Sequence, residues 1–231
     1  YRKHKMDTPF KEILSLDLYQ LLKPCQSLFK LSKMKQPDLE NFVGIHNRKY
    51  CDGGQCIRLY KTFMKKKDPE AANIVMGHNE EDLLGLGTIF SLLAYKKLYD
   101  GEYHPKQCVI LEQELKIVIE LSAAAPVNVS CGNSDFYLSV NGYEARMLVH
   151  LKEGKLRQYY RNYKDYEFIP GEDTAMPKSI TRYMDKSLKI ATTPQTCYTW
   201  FNCDEDFLNN EKKQMQYLTH TLPFFLDNLN K

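Results

Sequence analysis

The chain has 231 residues, 43% of them hydrophobic and 26% charged, with a formal net charge of +3. These are the proportions of a soluble globular protein, long enough for one large domain or two small ones. No apolar run approaches the length that crosses a bilayer, and no hydrophobic signal region follows the basic start Tyr1-Arg2-Lys3-His4-Lys5.

The seven cysteines are scattered and odd in number, which suits a reducing, cytoplasmic protein better than a disulfide scaffold. Cys51, Cys56 and His46 come nearest to a metal cluster but lack a CxxC pair. Charge is uneven. Residues 1–106 carry 18 basic against 13 acidic side chains, and residues 107–231 carry 14 against 16. Mild basicity in the first part permits a phosphate-bearing partner without requiring one.

Taken along the chain, Ile13 to Asp17 reads as a short buried strand running into a helix over Leu18–Leu22, which Lys23-Pro24 ends. A helical pattern follows from Pro24 to Lys35, with Leu28, Phe29 and Leu31 inward. Pro37 opens a short helix to Val43, and Gly44 stops it. After a turn at Asp52-Gly53-Gly54, Ile57, Leu59, Tyr60 and Phe63 mark the apolar side of a longer helix. Asp68-Pro69 is a strong helix start. That helix is expected to loosen or kink at Gly77 and continue to about Tyr99, burying Leu83, Leu86, Ile89, Phe90, Leu93 and Ala94.

After Pro105 the pattern becomes extended. Val109 to Leu121, Phe136 to Val140, Ala145 to Leu151 and Leu156 to Tyr160 predict strands, with Asn141-Gly142 and Glu153-Gly154 as hairpin turns. Lys178 to Met184 predicts a short helix and Gln195 to Phe201 a strand. A last helix over Lys212–Leu229 contains Pro223, where a kink or break is expected. The organisation is therefore α+β, with a mostly helical part over 1–104 and a β-rich module with a terminal helix over 105–231.

Chemistry concentrates in His78-Asn79-Glu80-Glu81-Asp82. Four residues apart on a helix, His78 and Asp82 share one face, roughly 6 Å apart along the axis. A histidine that orients or deprotonates water beside a carboxylate suits a metal-dependent hydrolase. Polar residues four apart are also common on any solvent-facing helix. Lys33, Lys35 and Arg48, with Lys30 and Lys49, could steer a nucleic-acid backbone toward the pair, or form a solvated face. Tyr159, Tyr160, Tyr163 and Tyr166, interleaved with Arg157, Arg161 and Lys164, could stack bases or simply pack. Asp38-Leu39-Glu40 is an Asp-x-Glu triplet, but it falls where acidic residues favour a helix N-terminus. Asp17 ends the predicted strand and reads as a structural or supporting residue. Asp204-Glu205-Asp206 reads as a solvated turn or helix cap.

Several segments in fixed order resemble one family. They are Ser15-Leu16-Asp17-Leu18-Tyr19, Lys35 through Ile45, Gly53 through Tyr60, and His78-Asn79-Glu80-Glu81-Asp82-Leu83. Over residues 8–100 the chain resembles the C-terminal portion of the YprB-like, ribonuclease H-like exonuclease domain of the DEDD nuclease superfamily. Residues 162–166 and 171–175 resemble a C-terminal extension found behind such domains in some bacterial proteins.

The resemblance implies the helical end of an RNase H-like α/β fold, with four acidic residues holding two Mg²⁺ or Mn²⁺ ions. It further implies 3′-5′ hydrolysis of phosphodiesters at a single-stranded DNA or RNA end. Asp82 matches the fourth acidic residue, and His78 stands where one subclass has tyrosine. The first two motifs have no counterpart here and are expected upstream of Tyr1. The chain is therefore expected to be a fragment without activity of its own. The competing expectation is a non-catalytic nucleic-acid-binding or protein-interaction domain that keeps the fold.

Overall fold

The computed structural model describes residues 12–46, 48–50 and 53–229. Residues 12–17 form a turn and extended coil, not the predicted strand. Ile13 and Leu14 are exposed, and among the described residues no neighbouring strand pairs with this stretch. An apolar run becomes a strand only where another strand satisfies its backbone.

Asp17 instead caps helix α1, Leu18–Leu22, by accepting the Gln20 N–H at 3.1 Å. Pro24 lies in a 3₁₀ turn over Lys23–Cys25. Helix α2, Gln26–Phe29, stops where Lys30 turns left-handed at φ 56°, short of the predicted Lys35. Helix α3, Gln36–Phe42, begins with Pro37 at its second position and leads to Gly44 at φ 91°.

Helices α4, Gly53–Lys66, and α5, Pro69–Ile89, pack on each other. Asp68 caps α5 through the Glu70 N–H at 3.0 Å. Gly77 does not break the helix: α5 continues through it. Glycine serves a close approach here: a Cβ at Gly77 would stand 2.3 Å from Cζ of the Tyr50 ring. The predicted buried stripe is only partly buried. Ile89 and Ala94 are inside, whereas Leu83, Leu86 and Phe90 are exposed, as are Ile57 and Tyr60 on α4. After a 3₁₀ turn over Phe90–Leu92, helix α6, Leu93–Asp100, ends at Gly101 with φ 87°.

Strands β1 (Tyr103–Leu111), β2 (Glu114–Gly132) and β3 (Phe136–His150) form one antiparallel sheet in sequential order. Leu115, Ile117, Ile119 and Leu121 alternate inward along β2, opposite Met147, Val149 and Ala145 on β3. The predicted hairpin at Asn141-Gly142 is absent, and β3 is continuous through it. Gly142, at φ 54°, pairs with Ala125 between two register shifts. The extra residues are bulged out of β2 rather than spent on a turn.

Glu153-Gly154 does turn, with both residues at positive φ and a bridge between Lys152 and Lys155. It leads into β4 (Lys155–Tyr159). Strand β5 (Tyr166–Ile169) follows, then β6 (Thr174–Pro177), helix α7 (Lys178–Thr181), β7 (Ile190–Ala191) and β8 (Tyr198–Asn202). β4 pairs with β8, and β5 lies between β6 and β7.

Asp204 caps helix α8, Glu205–Leu208. Helix α9, Glu211–Asp227, continues past Pro223. A proline inside a helix costs about 3 kcal/mol, and burial on both sides offsets it: Tyr217, Leu218 and Leu222 precede Pro223, and Phe225 and Leu226 follow, all inside.

The architecture is thus mixed helix and sheet. The apolar core is continuous across residue 104. Leu22, Leu28 and Tyr95 belong to the same cluster as Ile117, Met147, Leu222 and Leu226. Among the described residues, no helix is long and apolar enough to cross a membrane.

Candidate functional site

α3 and α5 lie side by side, and the segment after Gly44 returns over them. Three side chains meet there. Glu40, on the inner side of α3, is 2% exposed. A carboxylate so buried needs a partner, and Arg48 supplies one: its Nε and Nη2 donate to the two Glu40 oxygens, each at 2.7 Å. The remaining arm, Nη1, donates to Asp82 Oδ1 at 2.6 Å. One guanidinium therefore joins two carboxylates that lie 42 positions apart in the sequence, in the forked geometry arginine favours.

Gln36 completes the frame, donating from Nε2 to Glu40 Oε1 at 2.9 Å and to the Asp82 carbonyl at 2.8 Å. The space is full: a Cβ on Gly85 would stand 1.9 Å from Glu40 Oε1. One turn away, Glu81 accepts the N–H groups of Lys49 at 2.7 Å and Tyr50 at 3.2 Å, which holds the Arg48 segment onto α5.

His78 and Asp82 share a face of α5, as their spacing predicts. His78 Nε2 is 3.5 Å from Asp82 Oδ2, the oxygen that Arg48 leaves free. His78 is buried, and its other ring nitrogen, Nδ1, has no hydrogen-bond partner. Burial by itself would raise the Glu40 carboxyl. Hydrogen bonds from Arg48 and Gln36, with the Arg48 charge, outweigh it and hold Glu40 below the ordinary glutamate range. Hydrogen bonding to Glu40 in turn pushes Arg48 above its usual value.

Of the residues singled out from the sequence, His78, Asp82 and Arg48 come together. Lys33 and Lys35 are exposed outside this cluster, and the Lys35 N–H donates to Asp38 at the start of α3. Arg48 donates three hydrogen bonds to carboxylates and clamps Glu40 to Asp82. Asp38 and Asp17 act at helix starts. Cys51 lies outside the described residues, and with it the Cys51/Cys56/His46 cluster.

Glu40 and Gln36 are the site residues that sequence reasoning missed. Glu40 was visible in Asp38-Leu39-Glu40, but nothing local shows that a glutamate next to Leu39 faces inward toward an arginine eight residues on. In the β-rich part, Tyr159 stacks on Phe224 at 3.7 Å and Tyr160 on Tyr166 at 5.2 Å. Most of the predicted base-stacking tyrosines are therefore occupied with packing.

A family described as the RNase_H superfamily matches residues 1–94, the stretch that includes α1 to α5 and the whole Glu40–Arg48–Asp82–His78 cluster. The chain is similar to that superfamily over this part. No curated protein and no solved structure matches the chain.

The site can be tested against a two-metal centre. Mg²⁺ takes about six oxygen ligands in near-octahedral order. Here both Glu40 oxygens and one Asp82 oxygen face a guanidinium, and among the described residues no three His, Cys, Asp or Glu side chains group as metal ligands. The described residues alone do not fit two divalent ions.

Proposed function

We propose that the chain is the C-terminal part of a metal-dependent, 3′-5′ exonuclease-like protein acting on nucleic-acid phosphodiesters, and that this chain alone does not hydrolyse them. The observation that carries the reading is the His78–Asp82 pair, held on α5 by the Arg48–Glu40 clamp within the stretch similar to the RNase_H superfamily.

In this reading Asp82 contributes one carboxylate oxygen to a metal site whose other ligands lie outside the described residues. His78 orients water beside it. Lys33 and Lys35 guide a single-stranded DNA or RNA end, and residues 105–231 form an accessory β-rich module. Mg²⁺ or Mn²⁺ would activate water and stabilise the leaving oxygen. Since the described residues do not complete such a centre, no hydrolytic step is assigned to them.

The test is a nuclease assay on the 231-residue chain with single-stranded DNA and RNA in Mg²⁺ or Mn²⁺. No cleavage is expected. Cleavage that disappears in Asp82→Ala would overturn the claim that this chain is incomplete.

A second reading, a non-catalytic nucleic-acid-binding or protein-interaction domain, has one observation in its favour. Leu83, Leu84, Leu86 and Phe90 leave an apolar face exposed next to Asp82, and such faces commonly mark binding surfaces. A longer form of the protein that still lacks metal-dependent cleavage would favour it.

A further inference from the structure

Away from α5, the β-rich part holds two cations that the site does not use. Arg157 projects from β4, its guanidinium carbon 4.6 Å from the ring centres of both Tyr198 and Trp200. Lys152 Nζ stands 5.5 Å from the Trp200 ring centre. Neither cation enters an ion pair among the described residues, and Arg157 Nε is buried without a hydrogen-bond partner. Tyr159 hydrogen-bonds Arg157 and the Asp173 charge acts on it from a distance, but no carboxylate among the described residues reaches ion-pair distance, so an anion entering beside this partly desolvated cation would gain from it.

Both side chains line a cavity of about 200 Å³, with Asp135, His150, Tyr159 and Trp200 among its walls. Lys152 and Trp200 also form part of a second cavity of about 390 Å³, which carries Glu153, Glu172 and Asp173. The Trp200 ring is anchored, its Nε1 donating to the Asp173 carbonyl at 2.8 Å.

The chemistry of these walls is selective. A guanidinium beside an ammonium suits one phosphoryl group. Asp135 repels a simple anion but accepts a hydrogen bond from a sugar hydroxyl or a base amino group. The partly exposed Trp200 ring offers an aromatic surface to a planar base. Glu153, Glu172 and Asp173 disfavour a second phosphate.

We propose that this cavity binds one nucleoside monophosphate, its phosphate on Arg157 and Lys152 and its base against Trp200. A phosphate monoester is what hydrolysis of a phosphodiester leaves, so the biological sense of the site rests on the nuclease reading. Its geometry does not.

Trp200 is the only tryptophan in the chain, so its fluorescence reports on this cavity directly. The chain is titrated with adenosine 5′-monophosphate, adenosine, inorganic phosphate and a single-stranded oligonucleotide. The monophosphate is expected to give a saturable change that weakens with salt. Adenosine and phosphate are each expected to bind about tenfold more weakly or worse. Arg157→Gln and, at an exposed position less prone to disturb folding, Lys152→Gln should each weaken the monophosphate by about tenfold.

Three results would overturn the site: no saturable change with the monophosphate, unchanged binding in Lys152→Gln, or a response to the oligonucleotide alone. The assay needs neither metal nor turnover, so failure of the nuclease reading would leave it unaltered.

Discussion

The helical stretch 12–101 and the sheet-bearing stretch 103–229 spend their apolar residues differently. In β2 and β3 nearly every inward position is covered, and α9 closes over the sheet with Tyr217, Leu218, Leu222, Phe225 and Leu226. In α4, α5 and the turn after it, Ile57, Tyr60, Leu83, Leu84 and Phe90 face outward, and a charged group, Glu40, is buried between α3 and α5. The sheet part is held by shape and burial, whereas α3, α5 and the Arg48 segment are held largely by one polar network. An apolar core tolerates changes of pH, but a buried ion pair depends on both partners keeping their charge.

The largest expected effect lies in the sheet part. Phe225 stacks on Phe136 with ring centres 3.9 Å apart, and Phe225→Ala should cost about 3–5 kcal/mol in urea unfolding. A loss below about 1 kcal/mol would mean that α9 does not close this core.

Next is the clamp. Arg48→Ala strands the buried Glu40 charge and should cost about 3 kcal/mol, while replacing Glu40 and Arg48 together with Gln and Met should recover much of that loss. The clamp also has a pH signature. The folded Glu40 carboxyl is held below its unfolded value, so its contribution is complete above about pH 4.3 and is lost as pH falls through the lower folded value. Urea midpoints should fall across that acid window in the wild type, with a shallower slope in Glu40→Gln. Equal slopes would break the contrast between a charge-held and a burial-held region.

The smallest effect belongs to the outward face. Leu84→Gln should change stability by no more than about 0.5 kcal/mol, and a clear loss would show that this face is covered in solution.

Much of the local structure was legible in advance. Asp68-Pro69 starts α5 and Gly101 ends α6 because cap chemistry is local. The alternation in β2 is a strand signal of period two. Errors fell where a distant neighbour decides. Ile13 to Asp17 has strand composition but no strand beside it, Asn141-Gly142 has hairpin composition but lies opposite a bulge in β2, and α9 passes through Pro223 because burial on both sides outweighs the lost hydrogen bond.

The same division holds for the site. The sequence by itself determined that His78 and Asp82 share a helix face, since a spacing of four residues is a property of the helix alone. Only the tertiary structure decided that Glu40 is buried, that Arg48 joins Glu40 to Asp82, and that Arg157 and Lys152 flank Trp200 with no carboxylate at ion-pair distance among the described residues. Each depends on which surfaces meet, and charges separated by tens of residues acquire their pairing only when burial makes an unpaired one too costly.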